Sequence, residues 1–219
     1  MSDEEKSIVS RTEEMIRSAF SEESTGHDWW HIHRVRTTAI EIATREQANV
    51  FVVELAALLH DIADHKFHDG DLTVGPDKAK KWLVESLCPP QTVDDVVQII
   101  KEVSFKGAGV STPVSSPEAA CVQDADRLDA IGAVGIARCF AYGGSVGQAI
   151  HDPRLEVTEH NSFEEYHGAT TSSINHFYEK LLLLKDRMNT ETGKAMAQKR
   201  HEVMLQFLDQ FEKEWRGNA

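Results

Sequence analysis

Apolar residues recur at three- and four-residue steps along almost the whole chain, the spacing of helices with one buried face. Ile8, Met15, Ile16 and Ala19 predict a first helix, and Trp29, Ile32, Val35, Ala39 and Ile42 a second. From Phe51 to Ala63 the chain is apolar nearly all round, which predicts a central helix buried on every side. Pro76 reads as the first residue of a helix over Asp77–Leu87, ended by Cys88-Pro89-Pro90. Thr92-x-x-Asp95 resembles a capping box for the next helix. Ser116-Pro117-Glu118 opens another that runs through Asp126 and Asp129 towards Phe140, with Gly143, Gly144 and Gly147 as a loop beyond it. Ser162-x-x-Glu165 caps a long helix reaching about Met188, and Thr190 caps the last, where Met204, Leu205, Leu208, Phe211 and Trp215 form a stripe. Asp71–Val74 and Val103–Phe105 are weak strand candidates, and neither alternates. The expectation is an all-α fold of roughly seven or more helices. It would form a single domain over 1–219, with a core over about 20–140 and a C-terminal helical cap over about 160–216.

Composition narrows the class of partner. Basic residues number 23 against 36 acidic ones, a net charge of −13, so a general grip on nucleic-acid phosphates is not expected. No apolar run has the length of about eighteen residues needed to span a membrane, and the opening MSDEEKSIVSRTEE lacks the features of a secretory leader. Cys88, Cys121 and Cys139 fit neither a disulfide framework nor a paired-cysteine zinc site. A reducing, cytoplasmic setting is the expectation, with the chain a monomer or homodimer.

The chemistry gathers where the apolar run ends. His60-Asp61 closes Leu55-Ala56-Ala57-Leu58-Leu59, and an imidazole beside a carboxylate on a buried helix needs compensation that a divalent cation would supply. A helix end emerging into solvent would explain the pair equally well on its own. His31-x-x-Arg34-Val35 on the preceding helix and Asp126 in Asp124-Ala125-Asp126-Arg127-Leu128-Asp129 enlarge the set. His65-x-x-His68 and His31-x-His33 are weaker candidates for a second metal, and His160 or His167 could enter a cleft from the C-terminal cap. Of Trp29-Trp30, at least one belongs in the core, and the other could offer a face to a nucleobase. Gly143-Gly144 could let backbone approach a ligand, although a plain turn accounts for it more simply. Walker A, HExxH and Gly-x-Ser-x-Gly patterns are absent.

The ordered set His31, His60-Asp61 and Asp126 resembles the HD-domain superfamily of metal-dependent phosphohydrolases, whose motif is His, then His-Asp, then Asp on a helical bundle. The resemblance implies His31, His60, Asp61 and Asp126 as metal ligands. The strings Gly26-His27-Asp28-Trp29-Trp30-His31, His60-Asp61-Ile62-Ala63-Asp64-His65-Lys66-Phe67, Ser104-Phe105-Lys106-Gly107 and Gln123 to Gly132 are similar to a bacterial subgroup described as nucleoside-triphosphate pyrophosphohydrolases. That likeness covers roughly residues 5–216.

Two imidazoles and two carboxylates suit Mn²⁺ or Mg²⁺, with Co²⁺, Ni²⁺ and Fe²⁺ as alternatives, and leave coordination positions open for water and a phosphate oxygen. Asp64 and Asp129, each one turn beyond a ligand, are candidates to activate water. Lys66, Lys106, Arg127 and Arg34 are candidate phosphate clamps, with a surface salt bridge as the alternative, favoured at Arg34 and Arg127. The expected substrate is a nucleotide, most simply a (deoxy)nucleoside triphosphate cut to monophosphate and pyrophosphate. The alternatives are a nucleotidase acting on monophosphates and a non-catalytic HD module that binds metal and nucleotide.

Overall fold

The first helix, α1 (Asp3–Ala19), opens on a capping box in which Glu5 N–H donates to Ser2 Oγ at 3.2 Å and Ser2 N–H donates to the Glu5 carboxylate at 2.6 Å. The computed structural model describes residues 1–20, 28–62, 73–103, 112–158 and 171–218. Among these residues there are nine α-helices, one 3₁₀ helix and no strand, so the fold is all-α. None of the helices is long and apolar enough to cross a membrane. The chain forms two compact units, Met1–Phe105 with Thr112–Asp126, and Lys106–Ser111 with Arg127–Ala219.

In the first unit α2 (Trp29–Glu46) is capped by Asp28 and α3 (Val50–Leu59) by Asn49, whose side chain accepts from Phe51 and Val52 N–H. Every residue of α3 from Phe51 to Leu59 is buried, as its all-round apolar pattern requires. Helices α1 and α2 pack against it, as does α5 (Pro90–Val103), and α4 (Val74–Glu85) packs on α5. Trp29, Ile32, Val35, Ala39 and Ile42 form the buried stripe of α2, whereas Ala19 of α1 is exposed. Each fully buried Leu or Ile contributes about 1.5–3 kcal/mol, so the apolar stripes carry this unit.

Two helices begin earlier than Pro76 and the Thr92-x-x-Asp95 pattern suggested. Pro76 is the third residue of α4 and Pro90 the first of α5, which leaves Thr92 inside the first turn and buried. The first-turn N–H groups have no intrahelical acceptor, so proline is tolerated anywhere in that turn. Both strand candidates fail where they are described: Val74 starts α4 and Val103 ends α5. Ser116 caps α6 (Pro117–Asp129) as expected, accepting from Ala119 N–H at 3.1 Å.

In the second unit the helix expected to reach Phe140 is broken. Gly132 takes φ +76°, a left-handed backbone that ends one helix and starts α7 (Gly132–Ser145). Gly143 and Gly144 lie inside α7 rather than in a loop. A Cβ on Gly143 would meet Ser173 Oγ at 2.4 Å, so this glycine permits close helix packing.

Ser162 and Glu165 lie outside the described residues. The helix expected to reach Met188 is interrupted at Lys180: α8 (Ser173–Glu179) gives way to a 3₁₀ helix over Leu181–Arg187. Leu181 and Leu184 are both buried, and their three-residue spacing matches the 3₁₀ period. Thr190 caps α9 (Glu191–Trp215), accepting from Gly193 N–H at 2.9 Å. Of its stripe, Met204 and Leu208 are buried while Leu205 and Trp215 are exposed. Phe207 stacks on Phe177 at 5.7 Å and meets Phe140 edge-on at 5.7 Å, tying α9 to α8 and α7.

The junction of α6 and α7 is tight. A Cβ on Gly135 would lie 2.2 Å from the Ala130 carbonyl oxygen, a backbone atom with no rotamer to relieve the clash. Gly135→Ala is expected to destabilise the chain by about 3 kcal/mol, as overpacking does. Denaturant unfolding followed by circular dichroism measures it, and an unchanged midpoint would contradict the close packing.

Candidate metal centre

His31 is the third residue of α2, where its backbone N–H donates to the capping Asp28 carboxylate at 2.9 Å. The cap therefore anchors the turn from which the imidazole projects. His60 follows the last residue of α3 in helical conformation. Its Nδ1 lies 2.8 Å from the Ala57 carbonyl oxygen. A carbonyl has no proton to give, so Nδ1–H is the donor, and Nε2 keeps its lone pair for a ligand. Asp61 comes next in the turn, and Asp126 stands on α6.

The four side chains converge within the first unit. His31 Nε2 and His60 Nε2 are 3.2 Å apart. From the Asp61 Oδ2 atom the distances are 3.3 Å to His31 Nε2 and 3.5 Å to His60 Nε2. Asp126 Oδ1 lies 3.5 and 3.9 Å from the same two nitrogens. Ligand atoms about 2.1 Å from a common ion and at right angles to one another lie about 3.0 Å apart, so contraction by a few tenths of an ångström up to nearly one satisfies a divalent cation.

A cation explains the convergence better than protons do. An Nε2–H of one ring donating to the other accounts for their 3.2 Å spacing but brings no positive charge to the two carboxylates, which a metal ion would supply. The histidine side chains are 1% and 2% exposed, whereas Asp61 and Asp126 are 17% and 27% exposed, so the cluster opens to solvent on its carboxylate side. Among the described residues, His31, His60 and Asp126 are the group whose ligand atoms all lie close enough to hold one metal ion, and Asp61 Oδ2 stands beside it, 3.3 and 3.5 Å from the two nitrogens.

The remaining sequence candidates divide. Asp64, Lys66 and Lys106 lie outside the described residues, as do His65, His68, His160 and His167. Arg34 is half-buried on α2. In the second unit, Asp129 is 3% exposed and accepts from Arg138 Nη1 at 2.7 Å, and Arg127 is 6% exposed and donates to the Arg187 carbonyl. His33 is exposed and sits edge-on to Trp30, with ring centroids 5.9 Å apart. Trp29 is buried and Trp30 is 58% exposed, so the tryptophan pair is split between core and surface. The thiols of Cys121 and Cys139 are both pushed up to about 12 by burial, which keeps them protonated and poor ligands.

One buried constellation escaped the sequence reading. Glu54, 4% exposed in the middle of α3, accepts from Arg36 Nε at 2.9 Å and Nη2 at 2.6 Å, while Arg36 Nη1 reaches Glu13 Oε2 at 2.8 Å. Burial lowers the Arg36 pKa, but the bonds to Glu54 and Glu13 outweigh it and hold the guanidinium above its ordinary value. A lone carboxylate inside the apolar run Phe51–Leu59 was the available signal, since it must find a cation.

An HD-domain model matches residues 29–131. The chain is 40% identical over 203 residues to YpgQ, an uncharacterized protein of Bacillus subtilis, across 92% of this chain and 91% of that one. It is also similar to the crystal structure of an HD-superfamily hydrolase from Bacillus thuringiensis, with 39% identity, a TM-score of 0.77 and coverage of 97% and 98% of the two chains. Bacillus subtilis YpgQ in complex with ADP superimposes with a TM-score of 0.75 at 38% identity, covering 96% of this chain and 100% of that one. The chain belongs to the HD superfamily, whose domain implies a bound divalent metal.

Metal addition should therefore stabilise the fold. Mn²⁺ at about 100 times its dissociation constant adds about 2.7 kcal/mol. For a chain of this size that raises the melting temperature by about 5–10 °C. Differential scanning calorimetry of the chelator-treated protein measures the rise, which Asp126→Ala should largely abolish. An equal rise in that variant would place the ion elsewhere.

Proposed function

We propose that this chain is a metal-dependent phosphohydrolase that cuts nucleoside or deoxynucleoside triphosphates between the α and β phosphorus, releasing a monophosphate and pyrophosphate. The observation that carries it is the convergence of two buried imidazole nitrogens and the part-exposed Asp126 carboxylate, with Asp61 beside them. The complex of YpgQ with ADP supports a nucleotide, because ADP presents the same base, sugar and α–β linkage as a triphosphate. The strings shared with the bacterial pyrophosphohydrolase subgroup support the choice of bond.

In this reading His31 and His60 supply nitrogens, and Asp61 and Asp126 supply oxygens, to Mn²⁺ or Mg²⁺. When bound, such an ion supplies Lewis acidity that acidifies water and neutralises phosphate charge. Asp64 takes the proton from the attacking water as its oxygen bonds to the α phosphorus, and the bond to the bridging oxygen breaks to free pyrophosphate. Asp129 is the weaker candidate for that task, because its carboxylate is paired with Arg138. Lys66 and Lys106 grip the β and γ phosphates, where charge-assisted contacts favour the departing group. Arg127 donates to the Arg187 carbonyl, and Arg34, one turn after His31, is a further candidate cation.

Ion-exchange chromatography of products from a panel of (deoxy)nucleoside triphosphates with Mn²⁺ tests the reaction. Monophosphate and pyrophosphate in equal amounts are expected, and Asp61→Ala should lose at least about a hundredfold in turnover while keeping its helical circular dichroism. Orthophosphate alone, or turnover confined to monophosphates, would establish a nucleotidase instead. A metal-loaded protein that turns over none of them would be a binding module.

A further inference from the structure

We infer that Arg36 and Glu54 are positioning residues for the metal centre: their buried ion pair sets the register of α2 against α3, and so the spacing of the His31 and His60 nitrogens. The inference rests on the ligand assignment above. Arg36 lies five residues after His31 on α2, and Glu54 six residues before His60 on α3. At 1.5 Å per residue these offsets are about 7.5 and 9 Å along the two helices. The pair thus links the helices at nearly the same height above the two ligand rings.

Apolar packing alone does not specify this register well. Helix α3 is buried along its length, and apolar packing accepts volume-conserving rearrangement. Metal ligation does not, because ligand distances must hold within about 0.2 Å. Two N–H groups of one planar guanidinium converge on Glu54 Oε1 at 2.6 and 2.9 Å, a directional constraint that a slide of one ångström would break. The third bond, to Glu13 at 2.8 Å, fixes the guanidinium plane from α1, a helix that bears no ligand.

Stability alone gives no reason for a charge here. The Glu54 side chain is 5% exposed and that of Arg36 17%. A buried ion pair recovers little more than its desolvation cost, so well-packed apolar residues of similar volume would hold the helices as firmly. A positioning role separates from a stabilising one on that ground. The double replacement should leave the fold intact and damage the ligand geometry.

The test is isothermal titration of the full chain with Mn²⁺, paired with thermal melting of the metal-free protein by circular dichroism. The proteins compared are wild type, the Arg36→Met/Glu54→Leu double variant and the isosteric Glu54→Gln. The double variant should keep its helical signal and melt no lower than wild type, yet bind Mn²⁺ about tenfold more weakly, the loss usual when support for ligands is removed. Glu54→Gln, which keeps the shape but loses the charge, should weaken binding in the same direction. Either variant binding Mn²⁺ as tightly as wild type would overturn the inference while leaving the ligand assignment standing. Loss of the helical signal in both variants would also overturn it, making the pair a folding element. Wild type that takes up no Mn²⁺ would instead overturn the ligand assignment, and this inference with it.

Discussion

Two imidazole nitrogens held 3.2 Å apart beside two carboxylates are the constraint around which the first unit is built. A hydrogen bond between neutral rings brings no positive charge to those carboxylates, so the cost of the cluster must be met by the scaffold that holds it. The scaffold is α3, apolar on every side, with α2 beside it and α6 contributing Asp126. Burial of large aliphatic side chains supplies the energy, and a small number of polar devices aim the side chains of the cluster. Asp28 anchors the turn that carries His31, the Ala57 carbonyl orients His60, and Arg36 with Glu54 joins the two helices between.

This division of labour explains what could be read in the residues. The buried stripe of α2 and the all-round burial of α3 follow from periodicity, because side-chain direction repeats with the helix. The caps at Ser116 and Thr190 are local hydrogen bonds and were equally legible. The start of α4 was misplaced by two residues, because proline fits several positions of a first turn, and that of α5 by three, because the Thr92-x-x-Asp95 pattern lies inside the helix rather than at its cap. The break between α6 and α7 depends on a left-handed Gly132 that closely abuts Arg200, a contact between residues far apart in sequence. No local pattern reports that. Leu205 and Trp215 continue an apolar stripe on α9 but are exposed, since periodicity shows which face is apolar and not how far the neighbouring helices reach.

At the site, the ligand candidates were legible because the chemistry demands particular residue types in a fixed order. Their supports were not. Nothing in the sequence pairs Glu54 with Arg36 rather than with another cation, or Asp129, a candidate to activate water, with Arg138. A carboxylate one turn from a ligand is equally placed for either fate, and only the packing around it decides.

The central claim is that His31 and His60 both donate nitrogen to one divalent ion. Electron spin-echo envelope modulation on the Mn²⁺-loaded chain measures it directly, by counting imidazole nitrogens coupled to the metal. Two such nitrogens are expected in the wild type and one in either His31→Ala or His60→Ala. A spectrum without imidazole nitrogen, or one that neither substitution changes, would contradict it.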